Sequence, residues 1–200
     1  MPDSFQTLDS RLVALDHLLT RRSVGLLQDP APQGADLDQI LEAGLRAPDH
    51  GRLRPWRFVT IRGEVRIAFG ERLAAAAARR DPEAAAALGV RARAWVRRTP
   101  LLIAVGAVVK DGKIPELEQL LSAGAAAMNM LNAAHLLGFG AMWVTGPNAY
   151  DASVNRLLGL EPPSRLVGFL TLGTPAPARP EAPPRPERAA HVVDWRPPAN

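Results

Sequence analysis

The sequence predicts one domain in which α-helices and β-strands are mixed. Several segments repeat apolar residues at three- and four-residue steps, the signature of amphipathic helices. Leu101 to Val109 is a continuous apolar run of strand length, and Trp56 to Arg62 alternates between its two faces. The chain's 200 residues fall short of the roughly 250 to 300 at which chains divide into separate domains.

Residues 1 to 8 have little pattern and read as an N-terminal arm. From Ser10, Leu12, Leu15 and Leu19 mark a first helix that ends in Thr20-Arg21-Arg22-Ser23. A second helix presents Leu37, Ile40, Leu41 and Leu45 on one face and stops before Pro48, which disfavours helical geometry at Ala47. Arg46 to Trp56 holds two prolines, a glycine and several ionisable side chains without an apolar period, so it is a loop leading into the Trp56 to Arg62 strand. Glu64 to Arg80 and Pro82 to Arg98 are alanine-rich helices forming a hairpin around Asp81-Pro82. The 101 to 109 run is a strand buried on both faces. Pro115 starts the longest helix, which runs to about Leu137 before Gly138, a residue suited to a C-terminal cap. That helix is small or apolar almost all round, so it is buried, lining either a ligand or a second subunit. Gly140 to Val144 is a short strand, Thr145 to Asn148 its turn, Asp151 to Leu158 a short helix, and Leu166 to Leu172 a last strand. Prolines from 175 to 198 make residues 175 to 200 an extended arm, with His191 to Trp195 as apolar anchors that dock on a body such as a partner subunit.

Composition excludes several functions. With 47% hydrophobic and 22% charged residues the chain has material for a core, and with no cysteine it lacks disulfides, thiolate metal sites and thiol redox chemistry. Redox work therefore requires a bound cofactor. The net charge of +4 and pI near 10.5 raise a polyanion partner as one reading. The basic residues are nevertheless scattered among acids, and the densest group, Arg91, Arg93, Arg97 and Arg98, reads as a solvated helical face, so no nucleic-acid partner is expected. The opening residues lack a basic region followed by an apolar core, which makes a cytoplasmic setting the expectation. The alanine-rich run near 120 to 144 is broken by Asn129, Asn132 and His135, as a buried helix would be and a membrane span would not. Histidines 17, 50, 135 and 191 lie far apart without carboxylates at ligand spacing, so no metal site is expected. No hydrolase elbow, phosphate-binding loop or dinucleotide fingerprint is present. Gly138-Phe139-Gly140 precedes a strand, where a dinucleotide turn would follow one.

What remains is polar punctuation at element ends: Arg21-Arg22-Ser23, the Arg-Ala-Pro-Asp-His of Arg46 to His50 before Pro55-Trp56, Trp143-Val144-Thr145-Gly146, and Gly173-Thr174-Pro175. In this order, over about residues 14 to 175, the set resembles the FMN-dependent nitroreductase family, especially its compact bacterial members. The resemblance implies an α+β three-layer sandwich, with a mixed, mainly antiparallel sheet flanked by helices. It also implies a homodimer with FMN at the subunit interface, and ping-pong hydride transfer from NADH or NADPH to a nitroaromatic, quinone or related small acceptor.

Residue by residue, the resemblance makes Arg21 and Ser23 donors to the FMN phosphate, a role that suits a permanently charged bidentate side chain. Arg22 reaches the pyrimidine edge, where positive charge favours the reduced flavin. Arg46 and His50 contact the flavin from the loop, and Trp143, Val144 and Thr145 pack or donate from the other subunit. Taken singly, the arginines also suit a helix C-terminus, His50 suits a backbone cap, and Trp143 suits either stacking near the ring or plain packing. Trp56 reads as core, and Asn129, Asn132 and His135 as interhelical hydrogen-bonding groups. In many relatives a Gln precedes the Pro-Trp and an Arg follows the later Trp; this chain has Arg54 and Val144. No catalytic acid or base is named, since the cofactor performs the chemistry. A flavin-binding protein without NAD(P)H turnover is the alternative reading.

Overall fold

The computed structural model describes residues 4–177 and 184–197, with side chains described from Ser10 onward. Its centre is β3 (Leu101–Ala107), buried at every position. Leu101, Leu102, Ile103 and Val105 are fully shielded from solvent, each burial contributing up to about 1.5 to 3 kcal/mol. A strand with no polar residue cannot sit at an edge, and β3 is flanked by β2 (Trp56–Arg62) and β5 (Arg165–Pro175). The other side of β5 pairs with β4 (Gly140–Val144) over residues 169 to 173 and with β1 (Leu27–Gln28) at Thr174 and Pro175. Every strand pair among the described residues is antiparallel.

Helices cover both faces. On one, α3 (Val65–Arg80), α4 (Ala85–Arg97) and α7 (Ala152–Leu157) enclose Leu102, Ala104, Leu160 and Phe169. On the other, α2 (Gly34–Gly44) and α5 (Glu116–Leu136) enclose Leu101, Ile103, Val105, Leu170 and Leu172. The alternation of β3 and β5 thus divides their side chains between two cores, as the period of a strand requires. The C-terminus of α5 is closed by Gly138 at φ 83°, with Gly138 N–H donating to His135 O and Phe139 N–H to Ala134 O. This paired closure is the usual reason for a glycine just past a helix end.

Several expectations need correction. Residues 1 to 8 are not an arm throughout: α1 spans Ser4–Thr20, because nothing between Ser4 and Ser10 breaks a helix, while residues 1–3 lie outside the described set. The last strand continues through Gly173 and Thr174 to Pro175, so those residues are strand and not its boundary. The opening of the expected C-terminal arm is therefore the end of β5. Residues 178–183 and 198–200 lie outside the described set. In residues 184–197 the proposed anchors Val193 and Trp195 are 87% and 83% exposed, so they do not dock on this chain's own body. The buried run at 101 ends at Ala107, where Val108 N–H turns to Pro55 O. The turn after β4 contains a one-turn helix, α6 (Gly146–Ala149).

The short helix α7 is held by its N-cap. Asp151 accepts hydrogen bonds from Ser153 N–H (2.8 Å) and Val154 N–H (3.3 Å) and pairs with Arg80. Burial opposes its ionisation, but the Ser153 hydroxyl, Arg80 and these amides prevail and pull the carboxyl down to about 2. A depressed carboxylate contributes stability that is present above the unfolded-state value and lost as pH falls toward 2. The shift corresponds to about 2 kcal/mol. The unfolding free energy of wild type minus that of Asp151→Asn is therefore expected to shrink by about that amount between pH 6 and pH 2 in urea titrations. A pH-independent difference would contradict the assignment.

Candidate functional site

The loop after α2 is irregular because its side chains, and not its backbone alone, satisfy its polar groups. Arg52 and Arg54 adopt φ 54° and 50° beside Gly51 at 72°, values unfavourable for residues with a Cβ. The Asp49 carboxylate compensates by accepting from Arg54 N–H at 2.7 Å. Ser122 on α5 donates to Pro48 O (2.7 Å) and accepts from Trp56 Nε1–H (2.9 Å), which ties both ends of the loop to one hydroxyl. Ser122→Ala is expected to leave a carbonyl and an indole N–H without that partner and to cost about 1 to 3 kcal/mol. The urea midpoint of the variant measures this.

Within this loop, His50 Nδ1 lies 2.6 Å from Glu118 Oε2 on α5, and Arg46 pairs at 2.8 Å with Glu42 one turn earlier. All four side chains are well exposed, so these pairs contribute little to stability and leave the side chains free to change partners.

The Arg21–Ser23 turn follows α1 and lies against β4. Val24 N–H donates to Ala141 O at 2.9 Å, two residues before Trp143. Arg21 is half-buried, and no acid among the described residues forms an ion pair with it. Thr20 Oγ1 lies 3.3 Å from His135 Nε2, and the rings of His17 and His135 meet edge to face with centroids 5.7 Å apart. Burial lowers the His135 pKa, and the charges of His17 and Arg21 lower it further. Arg21 thus brings positive charge to the turn without an ion-pair partner among the described residues.

Successive residues of β4 face opposite ways. Trp143 lies over Gly168 of β5, where any side chain would overlap the indole nitrogen, and its ring edge reaches Gly124 on α5. Val144 packs into the core on the α3 and α4 side. Thr145 opens onto a cavity of about 250 Å³ beside Arg80, Arg91, Trp95 and Phe169. Trp143 and Val144 therefore cannot both present side chains to one flat ring.

The structure keeps Arg21, Arg22 and Ser23 on one turn beside β4, with His50 away from them and the Trp143 ring at Gly124 between the two. His50 is fixed at Glu118 and Thr20 at His135, positions 17 residues apart on α5, or about 25 Å at 1.5 Å per residue. Trp56 serves as an anchor, as expected for a core residue. Asn129 makes the expected interhelical bond, to Ala43 O at 3.1 Å. Asn132 does not: its buried Oδ1 has no hydrogen-bond partner among the described residues.

Sequence reading missed Arg185. Its guanidinium donates to Leu19 O and to Arg21 O, which ties the C-terminal segment to the turn after α1. Its proline-rich surroundings gave no local signal for a contact 164 residues away.

Comparison with known proteins matches this arrangement to one family. The model of the nitroreductase family matches residues 18–174. YdjA of Escherichia coli (strain K12), provisionally named an NAD(P)H nitroreductase, is 42% identical over 165 residues, covering 81% of this chain and 88% of YdjA. The crystal structure of a nitroreductase-like family protein from Bacillus cereus superimposes with a TM-score of 0.77 at 25% identity, covering 91% of this chain and 95% of that one. A protein provisionally named a nitroreductase from Desulfovibrio desulfuricans, crystallised in complex with FMN, gives 0.69 at 28% identity over 92% and 98% of the two chains. The chain belongs to the nitroreductase family.

Proposed function

We propose that this protein is a homodimeric, FMN-dependent oxidoreductase whose flavin sites lie between its subunits. Bound FMN supplies the redox chemistry, taking hydride from NADH or NADPH and passing it to a nitroaromatic, quinone or related small acceptor by a ping-pong sequence. The observation that carries this reading is the half-buried Arg21, without an acid partner among the described residues, on a turn beside β4. A permanently charged bidentate donor in a partly desolvated position fits a phosphate. Ser23 adds a hydroxyl, and Arg22 directs positive charge to the pyrimidine edge. Trp143 supplies an apolar wall; Val144 serves through its backbone, since its side chain is in the core. Thr145 donates from the mouth of the neighbouring cavity.

Arg46 and His50 complete the site from the partner. Because His50 and the Arg21 turn are anchored at opposite ends of α5, one protomer does not supply both to the same flavin, whereas a two-fold arrangement brings one copy's loop to the other's turn. The apolar surface left open supports self-association: Leu12, Leu15 and Leu19 of α1 are 60%, 51% and 62% exposed, and Leu117, Leu121 and Met128 line the open side of α5. No helix among the described residues is long and apolar enough to cross a membrane.

Mixing subunits tests the shared site. Arg21→Ala homodimers and Arg46→Ala/His50→Ala homodimers are both expected to bind FMN poorly. After subunit exchange, about one site in four should combine an intact turn with an intact loop and recover wild-type affinity. Failure to recover any tight site in confirmed mixed dimers would count against the cross-subunit arrangement.

A further inference from the structure

Away from the flavin region, on the side of the sheet opposite α5, a cavity of about 360 Å³ opens between α3 and α7. Arg72 and Arg79 enter it from positions two turns apart on α3, Arg156 enters from α7, and Ser153 adds a hydroxyl. No carboxylate lines it. Asp151, the N-cap of α7, is engaged by Arg80, by Ser153 and by the backbone amides of Ser153 and Val154. Arg79 donates to Ser153 Oγ at 2.9 Å, a neutral partner, and neither Arg72 nor Arg156 forms an ion pair with any described acid.

Other arginines that reach across elements meet an acid directly, as Arg93 meets Glu71 and Arg165 meets Glu116. Three guanidinium groups converging without one repel each other unless an anion joins them. We propose that this cavity binds a small phosphorylated anion carrying at least two negative charges. Guanidinium forks match phosphate oxygens in pairs, which a halide cannot exploit. Arg72 and Arg79 stand about 10 Å apart along the helix axis, a span that suits two linked phosphoryl groups better than one. Ala75, Val154 and Leu157 give the cavity an apolar floor and wall, so the ligand is an organic diphosphate or an inorganic diphosphate occupying its charged half.

Inorganic pyrophosphate, titrated calorimetrically into FMN-saturated protein at constant ionic strength, tests the proposal. Binding to one site per protomer is expected, weakened at least tenfold in Arg72→Gln and in Arg156→Gln and abolished in the double variant. All three should keep wild-type FMN content and far-ultraviolet circular dichroism, because both side chains are exposed. Pyrophosphate heats no different from those of chloride, or equal affinity in the double variant, would overturn it. Flavin binding and turnover are independent of this outcome.

Discussion

Replacing Arg21 with alanine is expected to weaken FMN binding by about 10- to 150-fold, the equivalent of a charge-assisted hydrogen-bonded contact of about 1.5 to 3 kcal/mol. The effect should be specific to the phosphate. Riboflavin has the same ring system without that group, so its affinity should be nearly unchanged, and the FMN-to-riboflavin preference should collapse. Arg21→Lys should fall between, because an ammonium keeps the charge but lacks the planar fork. Fluorescence-quenching titrations of apoprotein with both ligands measure this. Equal losses for FMN and riboflavin would assign Arg21 to the shape of the turn instead of to the phosphate. Loss of fold is a small risk, because the Arg21 side chain makes no ion pair with a described residue that its removal would orphan.

The second large effect concerns α1. Its leucines face solvent in the single chain, and its contact with the rest of the fold runs mainly through α5, with Thr20 and His17 against His135. Such a helix needs another surface to cover Leu12, Leu15 and Leu19. Converting Leu15 and Leu19 to Asp removes two apolar side chains per protomer, four across a two-fold interface, each worth up to about 1.5 to 3 kcal/mol. The dimer dissociation constant is expected to rise by more than about a thousandfold, and FMN should be lost with it. Sedimentation equilibrium reads the first outcome and flavin absorbance the second. A variant that remains dimeric and yellow would place the interface elsewhere.

How much of this was legible in the sequence depended on whether the signal was local. β3 and α5 could be read directly, because a fully buried strand and a helix buried on most sides each carry a continuous apolar pattern. Gly138 likewise announced its cap. β1 could not be read, since two residues define no period and Leu27–Gln28 becomes a strand only by pairing with the far end of β5. Pro175 concealed the end of β5 because proline usually stops a strand; here it sits at the terminal pair, where its missing N–H is tolerated. The loop from Arg46 to Trp56 was legible as a loop, but its fastening to Ser122 was not, because the partners are 74 and 66 residues apart. The candidate site behaved similarly. The motifs named candidate residues, and only the positions of Glu118 and His135 on α5 revealed the separation between the loop and the turn. The arginine cavity left no trace in the sequence, as its residues come from two helices that meet only in the fold.

The proposed activity requires that this chain hold FMN and cycle it with a nicotinamide donor. The most direct measurement is anaerobic mixing of the FMN-loaded protein with NADH and, separately, NADPH while the flavin absorbance near 450 nm is followed on a scale of about seconds, in the range of ordinary enzyme turnover. The prediction is bleaching by at least one donor, with colour restored on adding a quinone or nitroaromatic. A bound flavin that neither donor bleaches would contradict the reductase and leave a flavin-binding protein without turnover.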